Sequence, residues 1–178
     1  MRKSVAATFL ALSALAMQTV SAQAADVSVT ATITGADIGT RTLQVPGSIA
    51  LVTTSGQSQL SGSFATVVAE SAKQGANPWS VTASVTDFSG PNSSTITKDK
   101  LTVGTRSTVQ VLGGGSLSYT AADGSSFGTT RELVKNAGQS SSVAYTGTYT
   151  TTNPLALEIP NGSATGAYSA TMTLTLVQ

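Results

Sequence analysis

The chain contains no cysteine and no histidine in 178 residues. Without cysteine it has no disulfide, no thiolate nucleophile, no iron–sulfur cluster and no cysteine-ligated zinc. Without histidine it lacks the commonest general base and metal ligand, and a Ser-His-Asp system cannot be built. Charge is scarce as well. Nine basic and eight acidic residues make up 10% of the chain, against about a quarter in ordinary soluble domains. That balance disfavours a soluble cytosolic enzyme and any basic nucleic-acid binder. Disorder is also disfavoured, because 40% of the residues are apolar and disordered chains are poor in apolar residues and rich in charge.

Residues 1–24 read as a secretory signal peptide. Arg2 and Lys3 supply the positive start, and an apolar run occupies 5–17. That run is shorter than the roughly 20 residues of a membrane span. Ala22-Gln23-Ala24 then offers small residues at the two positions a signal peptidase reads. Cleavage after Ala24 leaves residues 25–178 as a single domain, a length that buries roughly 70% of its unfolded surface. The expected location is secreted, extracellular or at the cell surface, with no integral membrane span. A secreted chain without disulfides must draw its stability from its core, which fits a bacterial exterior.

Period-two alternation dominates residues 25–178. Val27-Ser28-Val29-Thr30-Ala31-Thr32-Ile33-Thr34 puts apolar residues on one face and hydroxyls on the other. So do Trp79-Ser80-Val81-Thr82-Ala83-Ser84-Val85-Thr86 and the run from Tyr168 to Leu176. Such runs are strands with one buried and one wet face. Weaker strand candidates are 42–45, Ser48–Thr53, 59–70, 94–103, 108–111, 116–120, 143–150 and 155–159. Turns are expected at Pro46-Gly47, Asn77-Pro78, Ser89-Gly90-Pro91-Asn92, Gly113-Gly114-Gly115, Asp123-Gly124, Asn153-Pro154 and Pro160-Asn161-Gly162. No amphipathic helix is expected, and at most a single turn over 132–136. The fold class is therefore all-β, a two-sheet antiparallel β-sandwich of Ig-like or Greek-key type. The expected core is Val29, Ile33, Leu60, Phe64, Val68, Trp79, Val81, Val85, Leu101, Val103, Tyr145, Leu157, Ile159, Tyr168, Met172, Leu174 and Leu176. Alternation fails at Asp87-Phe88, where a bulge or strand end keeps the carboxylate out of the core. Few lysines blunt the strand edges, which leaves strand-to-strand association open.

Chemical motifs are thin. No S-x-x-K aligns with a lysine. The acids of residues 25–178 show no pairing of the kind a glycosidase needs, nor a calcium loop. Gly113-Gly114-Gly115 lacks the spacing of a phosphate-binding loop. No catalytic residue, metal or cofactor is expected. Trp79, the only tryptophan, reads first as a core anchor on a central strand. It is also the single candidate ligand-binding residue.

Two segments carry a resemblance. Pro78-Trp79-Ser80-Val81-Thr82-Ala83-Ser84-Val85-Thr86-Asp87-Phe88 resembles the first signature of the WxL-domain surface proteins of Gram-positive bacteria, with Val81 in place of Leu. Leu155-Ala156-Leu157-Glu158-Ile159-Pro160, then Gly166-Ala167-Tyr168 and Thr171-Met172-Thr173-Leu174-Thr175-Leu176, is similar to the second, terminal signature, with Leu174 where that family usually has Trp. The resemblance implies non-covalent association with the cell wall, with peptidoglycan or other surface proteins as partners. The rival expectation is a structural fibre or matrix subunit that assembles by strand addition at a sheet edge.

Overall fold

Alternating apolar and hydroxyl residues extend as strands because β-branched Thr, Val and Ile suit a pleated, half-buried surface. The computed structural model describes residues 24–34, 39–53, 58–72, 78–112, 117–118, 125–136 and 145–178, and no α-helix occurs among them. The strands are β1 (Ala24–Thr34), β2 (Gly39–Gln44), β3 (Ser48–Thr53), β4 (Gln59–Ala72), β5 (Trp79–Val85), β6 (Phe88–Ser89), β7 (Thr95–Ile96), β8 (Leu101–Val103), β9 (Ser107–Leu112), β10 (Leu117–Ser118), β11 (Ser125–Ser126), β12 (Arg131–Asn136), β13 (Tyr145–Glu158) and β14 (Ala167–Val177).

All of them join one 14-stranded sheet, whose main path is β10-β12-β5-β14-β1-β3-β4-β13-β8-β11. β3 pairs with β1 along Ser48 to Val52 and with β4 at Val52 and Thr53, so it forms the corner where the sheet turns. The sheet curls back on itself as a half-barrel. Trp79 on β5 and Tyr149 on β13, well separated along the path, meet with ring centroids 5.5 Å apart and planes tilted by 60°. Between the curled layers lies one core that includes Val27, Leu51, Phe64, Val81, Phe88, Leu133, Leu157, Met172 and Leu176.

The all-β class holds, but the expected pair of separate antiparallel sheets is replaced by one continuous mixed sheet. β1 and β14 run parallel, from Ala24 beside Ala167 to Thr34 beside Val177. A parallel pair needs a long crossover, and here nearly the whole domain lies between the two strands. Alternation reports which face is buried; it says nothing of strand direction or of a corner strand shared by both layers.

Several local expectations change too. Ile33 is 44% exposed, because β1 runs on past Ser28, where its pairing with β3 ends. Val29 and Ile159 are only partly buried against the core, and the side chain of Tyr145 lies outside the described residues. Residues 131–136 form β12, not a turn. Asn153-Pro154 is no turn either: it sits inside β13, opposite Phe64 and Ser63 of β4. Proline is tolerated there because its missing N–H falls between the stretches paired with β9 and β8. Its carbonyl still accepts from Gly104 N at 3.0 Å. The candidate over 94–103 is split into β7 and β8 by a 3-10 turn at Lys98–Lys100. At Asp87 the strand ends as expected. β5 stops at Val85, Asp87 is exposed and its Oδ1 accepts from Lys98 N at 2.9 Å, while Phe88 is buried. Gly113-Gly114-Gly115 and Asp123-Gly124 lie outside the described residues.

Candidate functional site

The β5 part of the first resembling segment and the β14 part of the second are about ninety residues apart in the chain, yet they are neighbouring strands, while Leu155–Glu158 of the second lies on β13. β5 pairs with β14 in register from Val85 beside Met172 to Ser80 beside Val177. β1 lies on the far side of β14. On the outer face of these three strands the registers align hydroxyls into rows. Thr30, Thr173 and Ser84 form one row, and Thr32, Thr175 and Thr82 the next. The spacing is about 4.8 Å across strands and about 7 Å along them. Segments 28–34, 80–86 and 171–177 contain no charged residue. Some hydroxyls hold each other: Thr30 Oγ1 donates to Thr173 Oγ1 at 3.2 Å. Thr86 Oγ1 accepts from the backbone N of Thr171 at 3.0 Å. The remaining lone pairs and protons face outward, so the surface can donate and accept at many points without desolvating an ion.

At one end this face runs into a shallow depression of about 220 Å³, bordered by Pro78, Trp79, Ser80, Glu132, Lys135, Val177 and Gln178. Its only charged side chains are Glu132 and Lys135. Trp79 forms part of its wall but is just 2% exposed. The indole packs on Tyr149 inside the core, so the structure puts the residue mainly in the anchoring role. Its Nε1, like Glu132 Oε1, is buried without a hydrogen-bond partner among the described residues.

Behind the depression is a polar network that sequence reasoning missed. Arg41 on β2 lies directly opposite Glu70 on β4. Their side chains are fully buried and joined by Arg41 Nε to Glu70 Oε2 at 3.1 Å. Asn136, the register neighbour of Trp79, donates from Nδ2 to Glu70 Oε1 at 3.3 Å. Arg41 Nη1 donates to Gln178 Oε1 at 3.0 Å, and Gln178 N donates to the carbonyl of Thr34 at 3.0 Å. Two ions can share a dry interior when each is paired and hydrogen-bonded. The network thereby ties β2, β4, β12 and the ends of β1 and β14 together beneath the depression. The available signal was weak: Arg41 and Glu70 both sit on strands, but nothing local says that their side chains turn inward.

Glu70 is occupied by this pairing, Asp87 caps a backbone N–H, and Glu158 pairs with Lys100 at 3.4 Å on the surface. Among the described residues no three acidic, histidine or cysteine side chains gather where a metal could bind. No described helix is long and apolar enough to cross a membrane. No protein-family model matches the chain, and no curated protein or solved structure matches it either.

Proposed function

We propose that this is a secreted, non-enzymatic surface domain that associates non-covalently with the bacterial cell wall, peptidoglycan being the ligand, through the outer face of β1, β14 and β5. The observation that carries the reading is the alignment of uncharged hydroxyl rows across three strands, two of which bear the WxL-like segments. A polymer rich in hydroxyl and amide groups offers the complementary donors and acceptors. Trp79 and the network behind it hold the end of that face in shape; in this reading Trp79 supports binding from the core side.

Because the hydroxyl rows carry no charge and Asp26 is the one acidic residue on the outer face of β1, retention should change little with ionic strength, which screens charge–charge attraction and leaves short-range hydrogen bonds in place. The test is sedimentation of the purified protein with isolated cell wall at low and high salt. Retention at both is expected. Thr173→Asp and Thr82→Asp should weaken it, since each hydroxyl contact is worth about 1 kcal/mol, roughly fivefold in affinity, and a carboxylate also brings a desolvation cost. Absence of retention at both salt concentrations overturns the proposal.

A further inference from the structure

Residues three apart on a regular strand face opposite sides of its sheet. Glu132 and Lys135 of β12 do not. The register of β12 against β5 shifts between Glu132 and Val134, and the extra residue, Leu133, makes a bulge of the kind that re-aims the side chains beside it. Leu133 and Val134 are both buried, whereas Glu132 is half-buried and Lys135 exposed. Residues directly opposite each other across an antiparallel pair share a face. Glu132 beside Thr82 and Lys135 beside Ser80 therefore both join the outer face. They end the rows that run from Thr32 through Thr175 and Thr82, and from Thr34 through Val177 and Ser80. The bulge thus sets one anion and one cation side by side at the end of the hydroxyl rows. The residues they oppose are two apart on β5, about 7 Å along the strand.

Both side chains border the depression of about 220 Å³, yet they are not joined: the ion pairs among the described residues are Arg41 with Glu70 and Lys100 with Glu158. Glu132 Oε1 is buried with no hydrogen-bond partner among the described residues. A buried carboxylate oxygen without a donor is costly, and a ligand ammonium would satisfy it with a charge-assisted bond. Lys135 offers donors and no acceptor, which suits a carboxylate. Val177, 42% exposed, gives the same depression an apolar patch. We infer that the depression binds a free α-amino acid group, its ammonium on Glu132 and its carboxylate on Lys135. A simple cation or anion would meet one partner and one repelling charge; a group with both charges on one carbon meets two partners. The volume lies below the roughly 300–1,000 Å³ of sites for drug-sized ligands, which limits the occupant to a single amino-acid unit. Because ammonium and carboxylate must both be free, a residue inside a peptide chain is excluded. A free amino acid and one tethered through its side chain share the required chemistry. The inference extends the outer face to β12 and does not require the hydroxyl rows to bind anything.

The test titrates the purified full chain with alanine, read by calorimetry and by the fluorescence of Trp79, the only tryptophan, which lines the depression. Saturation at roughly millimolar alanine is expected. N-acetylalanine lacks the ammonium and alaninamide lacks the carboxylate, so each should bind at least about tenfold more weakly. Alanine should lose at least about tenfold on Glu132→Gln and on Lys135→Gln, while both variants keep the melting midpoint of the parent within about 2–4 °C. Nε-acetyllysine carries the same group on a tether and should bind like alanine, because the depression is open to solvent. Binding of alanine alone would still support the inference and mark the ligand as a free amino acid. No saturable response to alanine, equal binding of N-acetylalanine or alaninamide, or alanine binding unchanged in either variant would overturn it. Sedimentation with cell wall is scored separately. Wall retention without alanine binding removes this inference and leaves the wall-binding reading, and alanine binding without retention does the reverse.

Discussion

Replacing Glu70 by leucine leaves the Arg41 guanidinium in a dry interior with its counter-charge gone. In the native chain both side chains are wholly removed from solvent, 3.1 Å apart. The bond from Asn136 Nδ2 to Glu70 Oε1 is lost in the same step. Arg41 keeps the carbonyl of the Gln178 side chain and its other contacts, but it loses the carboxylate that its Nε holds. Removing one partner of such a pair costs about 3–5 kcal/mol, a large share of the roughly 5–15 kcal/mol that holds a domain folded. At this chain length each kcal/mol moves the melting midpoint by about 2–4 °C. Glu70→Leu and Arg41→Met should each therefore lower it by roughly 6–20 °C. The double variant should recover most of that loss, because two apolar side chains of similar volume carry no desolvation penalty. Urea unfolding followed by Trp79 fluorescence measures all three. The exposed pair Lys100 and Glu158 is the control: Glu158→Gln should change stability by less than about 1 kcal/mol. If Glu70→Leu also costs less than about 1 kcal/mol, or if the double variant loses the sum of the two singles, the buried ion pair does not hold this end of the domain.

Trp79→Ala should cost about 3–5 kcal/mol, while Trp79→Phe keeps an aromatic ring on Tyr149 and should retain both the fold and the proposed cell-wall association. Loss of wall retention in a Phe variant with a native unfolding curve would move Trp79 from the core to the ligand. Gly90→Ala should destabilise by about 1–3 kcal/mol, because a Cβ there overlaps the ring of Tyr168. That ring cannot yield easily: its hydroxyl donates to Ala164 O at 2.9 Å and accepts from Ser94 Oγ at 3.1 Å. A thermal melt unchanged by Gly90→Ala would show that the Tyr168 corner is more adaptable than its contacts indicate.

Much of the local structure was legible in the residues themselves. Strand faces derive from period-two alternation, so Val81, Val85, Met172, Leu174 and Leu176 could be assigned to the interior from their spacing, and all are buried. The break at Asp87 came from the cost of an inward carboxylate. The absence of cysteine and histidine bounded the chemistry before any fold was known. Position along a strand is a different matter. Ile33 obeys the same alternation as Val27, yet only Val27 is covered by an opposing layer, and the end of the β1–β3 pairing is a property of the assembled sheet.

Tertiary structure alone decided the parallel pairing of β1 with β14, the corner at β3, and the inward turn of Arg41 and Glu70. It likewise decided that hydroxyls from three distant segments stand in rows. The physical reason is range. Backbone sterics and side-chain polarity act over a few residues and are written in the local pattern. Register, strand direction and charge pairing depend on which segments meet after the chain has closed on itself, and no short stretch of this sequence contains that information.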